Sequence, residues 1–209
     1  MNLAERLAGP RTSLAERLAE ALATGRAGNA PLLASDHRDA EARPDADLTP
    51  AAVLIAVTAA PRPGVILTQR TDTLRNHAGQ IAFPGGRLDP GEDSVHAALR
   101  EAEEEVALPR AAVTVIDTLA PYRTVTGFVV TPVLGVVPAD IPLVPSEAEV
   151  ASVFEVPLDF LIDPANHVEA SADWRGRTRH FYEICWQDRR IWGATAAMIV
   201  NLSRQLAWA

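Results

Sequence analysis

Residues 86–108 read GRLDPGEDSVHAALREAEEEVAL, and the rest of the chain is best read outward from them. Asp93 or Ser94 is placed to cap a helix, and Pro109 stops that helix soon after Val106. Val95, Ala98, Leu99, Ala102 and Val106 follow the i, i+3, i+4, i+7 rule, so they predict its buried stripe. Glu101, Glu104 and Glu105 stand three and four positions apart and share one face. Like charges so spaced repel by roughly a few tenths of a kcal/mol per pair. They also crowd the C-terminal end of the helix, where its dipole disfavours anions. A bound cation removes the conflict. Mg²⁺ takes oxygen ligands and is usually held between carboxylates and substrate phosphates.

An acidic run alone is commonly a solvated helix face, but its flanks point elsewhere. Arg100 lies four before Glu104 and can orient it. Glu92, near the helix start where the dipole favours an acid, can reach back toward Arg100. Immediately upstream, Phe83-Pro84-Gly85-Gly86 provides a tight turn that exposes backbone at close range. Strand, glycine turn and acidic helix together make a metal–phosphate arrangement.

The spacing of Gly86, Glu92, Arg100, Glu101, Glu104, Glu105 and Leu108 resembles the Nudix box, G-x5-E-x7-R-E-U-x-E-E-x-G-U with U a bulky aliphatic. Two positions depart from it. Ala102 is small for an apolar position, and Ala107 replaces the last glycine at a cost of about 1 kcal/mol if that residue needs positive φ. A second pattern lies upstream. Arg70, Arg75, Gly79 and Phe83 to Gly86 resemble the motif of coenzyme A diphosphatases within the Nudix superfamily, with Thr71 where Ser or Ala is usual and Ile66 where Leu is usual. Segments 149–158 and 191–196 resemble that subfamily too, so the likeness runs from about Ala51 to the C-terminus.

The resemblance implies an α/β protein, a Nudix-type α/β/α sandwich with a mixed β-sheet, its hydrolase domain over 49–209; residues 1–48, outside the likeness, are read as an N-terminal helical extension and loop. It also implies metal-assisted attack of water on the diphosphate of coenzyme A or its acyl derivatives. The products would be 4′-phosphopantetheine and adenosine 3′,5′-bisphosphate. On that likeness Glu101 and Glu105 are the principal ligands of Mg²⁺ or Mn²⁺, with Glu104 and the Gly85 carbonyl as further ligands. Arg100 and Glu92 hold the glutamates. The general base is Glu101 or a loop acid, Glu149 first and Glu147 behind it. Arg70, Arg75, His77 and Gly86 are expected against the substrate, and Arg123 is a weaker candidate from a loop. Two alternatives stay open: hydrolysis of another nucleoside diphosphate conjugate such as ADP-ribose or a dinucleotide, and a catalytically silent ligand-binding domain. Intact acidic ligands and Arg100 argue against the last.

The 209 residues carry a net charge of −8, which argues against a nucleic-acid partner and requires local cations to draw in an anionic substrate. Arg70, Arg75, Arg87 and the metal are the candidates. All 19 basic residues are arginine, which excludes a lysine phosphate loop or a Schiff base. Cys185 is the single cysteine, so no intrachain disulfide forms, and it is expected to pack as a small hydrophobe. The N-terminus lacks the apolar core of a secretory signal, and no run approaches the ~20 apolar residues of a membrane helix. A cytoplasmic protein without membrane contact is expected. The oligomeric state stays open, a homodimer included.

Elsewhere, residues 2–8 and 13–24 read as helices, the second with Leu14, Leu18 and Leu22 on one side. Ala51–Thr58 and Val65–Gln69 predict a hairpin around Pro61-Arg62-Pro63-Gly64. Val113–Leu119 and Phe128–Val137 predict strands, and Pro132 argues that the second is an edge or broken strand. Val150–Glu155 is mixed, and Leu158–Ile162 reads as a short helical turn. A hairpin of His180–Trp186 and Arg190–Trp192 around Gln187-Asp188-Arg189 and a closing amphipathic helix over Thr195–Leu206 complete the chain. A mixed sheet between helices fits this order.

Overall fold

The two longest apolar runs lie side by side. β1 (Thr49–Thr58) and β7 (Phe128–Val137) pair in parallel along their whole length, from Thr49 opposite Phe128 to Thr58 opposite Val137. Sheet strands covered on both faces read as continuous Val, Leu, Ile and Ala rather than as alternation. The computed structural model describes residues 13–35, 48–71, 79–174 and 177–206. The helix expected over 2–8, and Arg75 and His77, lie outside the described residues.

The expected hairpin is present: β1 runs antiparallel to β2 (Gly64–Arg70), with Val57 opposite Val65. β2 is also flanked by β3 (Ile81–Ala82) and by β8 (Val150–Pro157), both antiparallel, and β4 (Gly85–Arg87) pairs with β1. β5 (Thr114–Thr118) and β6 (Tyr122–Arg123) share the other side of β7, completing an eight-stranded mixed sheet. β9 (Val168–Trp174), β10 (Arg177–Trp186) and β11 (Arg189–Trp192) form a second, antiparallel sheet.

Pro132 does not make β7 an edge or broken strand. The strand continues through it, paired with β1 on one side, where Val53 lies opposite Pro132. A residue's N and C=O point the same way in a strand. The Pro132 carbonyl accepts from the Leu119 N–H (2.8 Å), so its missing donor faces the gap where β5 gives way to β6. Cys185 also departs from expectation: it is exposed on β10 rather than packed in the core.

Two cores sit on opposite faces of the large sheet. Ala52, Leu54, Ala56, Ile66, Val133 and Val137 pack against Ala97, Ala98, Ala102 and Val106 of α2 (Ser94–Val106). On the other face Ile55, Val57, Val65 and Leu67 meet α4 (Ala194–Gln205) and α1 (Leu14–Ala27), with the short α3 (Leu158–Ile162) beside them. This is the α/β/α arrangement that the sequence predicts. α1 opens on a capping box between Ser13 and Glu16 and buries Leu14, Leu18 and Leu22. Arg26 at its end donates to Asp117 and to the Thr118 carbonyl, and the Asn201 side chain bonds both backbone groups of Leu33. Among the described residues no helix is long and apolar enough to cross a membrane.

Candidate active site

The glycine turn is built by contact with β1. The Leu54 N–H donates to the Pro84 carbonyl (2.8 Å), and β4 then runs against Ala51–Val53. Gly85 has φ +157°, and a Cβ there would strike the backbone of Ala52 and Val53. A Cβ on Gly86 would run into the carboxylate of Glu101. The two glycines thus bring backbone against the acidic helix with no side chain between.

α2 is capped by Asp93, whose side chain accepts from the His96 N–H (2.9 Å). About two turns later, Arg100 gathers the acids. Its Nε and Nη2 donate to the two oxygens of Glu92 (3.1 and 3.0 Å), a bidentate fork. Its Nη1 donates to Glu101 (2.9 Å) and Glu104 (3.1 Å), and Nη2 also donates to the Arg87 carbonyl (2.9 Å). The Arg100 and Glu92 side chains are 16% and 14% exposed, so the fork between them is little screened, whereas Glu104 is open to solvent. The fork holds the Glu92 carboxyl below its usual range, helped by the Asp89 N–H. Glu101 moves the other way: burial raises it, against the pull of Arg100.

Glu105 is the outlier. It is buried, where the sequence reading placed it on an acidic face with Glu101 and Glu104. Burial pushes its carboxyl up to about 7, opposed by the Gly85 N–H (3.2 Å) and by Arg70, and reinforced by Glu101 and Glu149. Arg70 Nη1 lies 3.6 Å from Glu105, and Nη2 lies 3.9 Å from Glu149. The register of β2 with β8 shifts between Gln69 and Arg70, a bulge of the kind that re-aims a side chain.

Glu149 reaches this point because its loop is tied to the end of α2. The Val144 N–H donates to the Val106 carbonyl (3.0 Å) and the Ser146 N–H to the Glu105 carbonyl (2.8 Å). Ser146 O then accepts from Glu149 and Val150, while the Thr71 N–H donates to the Glu149 carbonyl (3.0 Å). Carbonyls left unpaired at a helix end thereby anchor the loop.

Of the expected site residues, the structure brings together Glu92, Arg100, Glu101, Glu104, Glu105, Gly85, Gly86, Arg70 and Glu149. Glu147 is exposed, and Arg123 sits on β6, its N–H donating to the Ala34 carbonyl. Gly85 meets Glu105 through its N–H. The pairing of Arg70 with Glu105 escapes sequence reading, since 34 residues and a fold lie between them. Among the described residues no three acidic, His or Cys side chains close around one point; Arg100 and Arg70 hold them instead.

The family comparison agrees with this geometry. The NUDIX domain model matches residues 48–175, so the chain belongs to the Nudix family and is a hydrolase of that class. Two relatives bear the name uncharacterized Nudix hydrolase NudL. That of Cronobacter sakazakii (strain ATCC BAA-894) is 47% identical over 157 residues, covering 75% of this chain and 82% of its own. That of Yersinia pestis (strain Pestoides F) is 43% identical over 158 residues, covering 75% and 79%. Among solved structures, the Nudix hydrolase RenU of M. smegmatis is 28% identical over 53% of this chain and 71% of its own, with a TM-score of 0.45. Nudix hydrolases use divalent metal ions and act on small nucleotide-linked substrates.

Proposed function

We propose that this chain hydrolyses the diphosphate bond of coenzyme A or its acyl derivatives, releasing 4′-phosphopantetheine and adenosine 3′,5′-bisphosphate. The observation that carries the reading is Arg70. It belongs to the upstream pattern that resembles coenzyme A diphosphatases, and it stands against Glu105 and Glu149 at the acidic face of α2. In this reading residues 49–209 are the catalytic domain and 1–48 an extension.

The donor set suits a hard divalent cation, Mg²⁺ or Mn²⁺. It is all oxygen, and Glu105, disfavoured as an anion by burial and by the charges of Glu101 and Glu149, is relieved by a cation. Glu101, Glu105 and Glu104 would hold the ion, with the Gly85 carbonyl beside them. When bound, the ion neutralises diphosphate oxygens and lowers the pKa of water. The residues of the chain do the rest. Arg100 keeps Glu101 and Glu104 oriented and takes its own orientation from the fork on Glu92. Arg70 has its guanidinium at the place where substrate phosphate enters and offers a fork to its oxygens. Gly86 leaves room for the substrate against Glu101. A carboxylate of Glu149, or of Glu101, takes the proton of the attacking water as its oxygen bonds to phosphorus and the bridging P–O bond breaks. Arg75 and His77 are kept as further substrate contacts.

Steady-state kinetics on coenzyme A, ADP-ribose and a dinucleoside polyphosphate test the substrate. The expected result is a kcat/KM for coenzyme A at least about tenfold above the others, a difference of about 1.4 kcal/mol. A preference for ADP-ribose would overturn the substrate and leave the hydrolase.

A further inference from the structure

Arg189 opens β11 and crosses from the second sheet to the large one. Its guanidinium lies 3.8 Å from the centre of the Phe154 ring. A single nitrogen, Nη1, makes both of its polar bonds, to Gln69 Oε1 (2.9 Å) and Ser152 Oγ (3.3 Å). Stacking fixes the plane of the fork, and these bonds fix its rotation. Nε and Nη2, and the side-chain NH₂ of Gln69 beside them, have no acceptor among the described residues. No carboxylate there pairs with Arg189, whereas Arg26, Arg62, Arg70, Arg100, Arg110 and Arg190 all have one. In a chain of net charge −8 this is a preset guanidinium whose charge no described neighbour cancels.

Its position gives it a use. Gln69 immediately precedes Arg70; Arg189 stacks on Phe154, which packs with the core on the α1 and α4 face of the sheet, whereas Arg70 reaches Glu105 of α2 on the other face. Arg70 and Arg189 therefore flank the end of β2, one on each face, close to the tied loop that carries Glu149. Coenzyme A carries two separate anionic groups: the diphosphate that is cleaved and a phosphomonoester on the ribose. We infer that Arg189, with the Gln69 amide, is the subsite for that ribose phosphomonoester, and that it separates substrates bearing this group from those lacking it. A planar fork whose Nε–Nη2 edge is unused matches a phosphate dianion, while tying the hairpin to the sheet needs only the stack and Nη1. The inference rests on the coenzyme A reading above.

The test is calorimetric binding, without added metal, of adenosine 3′,5′-bisphosphate, AMP and inorganic phosphate to the full chain. The expected result is binding of the bisphosphate about tenfold or more tighter than AMP, with the difference abolished in Arg189→Met and in Gln69→Glu. Gln69→Glu keeps an acceptor for Nη1, so it retains the hairpin tie while cancelling the charge. If Arg189→Met fails to fold, it decides the case together with the parent. Equal affinities in the parent, persistence of the preference in both variants, or inorganic phosphate binding as tightly as the bisphosphate would each overturn the subsite. Turnover of coenzyme A reports separately. A parent that discriminates the two nucleotides but leaves coenzyme A intact refutes the substrate reading alone. Turnover without discrimination refutes the subsite alone.

Discussion

Glu105 concentrates the cost of the site in one side chain. Its carboxyl titrates at about 7 in the folded chain against 4.5 ordinarily. Between those values the folded state keeps a proton that the unfolded state has lost, so stability falls as pH rises from about 4.5 to about 7 and stays lower above. The metal-free Glu105→Gln variant, which retains an acceptor for the Gly85 N–H, should therefore be more stable than the parent at pH 8, by on the order of 1–3 kcal/mol. The gain should vanish near pH 4.5, while turnover is lost at every pH. Thermal unfolding across that range checks it, and a pH-independent difference would contradict the burial argument. Gly86→Ala probes the neighbouring contact. Because the obstructing atoms are the mobile end of Glu101, the fold should survive with little change in melting temperature while kcat falls at least about tenfold. Spacing along one helix made the acids, Arg100 and Glu92 legible in the sequence. The burial of Glu105 was not, because it depends on the glycine turn and on Arg70 arriving from other strands.

At the scale of elements, α2 repeats the lesson. Its Asp93 cap follows from the chemistry of the capping residue, and periodicity finds the buried Ala98, Ala102 and Val106; it misses the buried Ala97, and Val95 and Leu99 are only half-buried. Its end was legible only in part. Ala107, where the family pattern has glycine, adopts the left-handed conformation with φ +55°. Ala107→Gly should thus stabilise the chain by about 0.5–1 kcal/mol, read as a rise in the denaturation midpoint at unchanged m-value. A loss of stability would mean that the entropy of an added glycine in the unfolded chain outweighs the relieved strain. β7 shows the converse limit. Pro132 signals an edge in any one-dimensional reading, and it is tolerated at the sheet centre only because the partner strand changes opposite it. The short β3, β4 and β6 carry too few residues for a periodicity to register.

For the whole molecule, the sheet divides two cores and places the chemistry at one end of α2, held by a loop, a bulged strand and a turn that are far apart in the chain. Such a site should report ligand binding through global stability. With Glu105 as the ion ligand proposed above, Mg²⁺ or Mn²⁺ should raise the melting temperature, and more at pH 8 than at pH 6, because the ion would compete with the proton on that carboxyl. Glu105→Gln should abolish most of that pH dependence; a metal shift of equal size at both pH values in the parent would place the ion away from Glu105.

The most direct measurement is chromatographic identification of products after incubating the full chain with coenzyme A and Mg²⁺ or Mn²⁺, with Glu105→Gln alongside. Adenosine 3′,5′-bisphosphate and 4′-phosphopantetheine in equal amounts, formed by the parent and absent with the variant, is the expected result. Intact coenzyme A with the parent, or the same products from the variant at an undiminished rate, would contradict it.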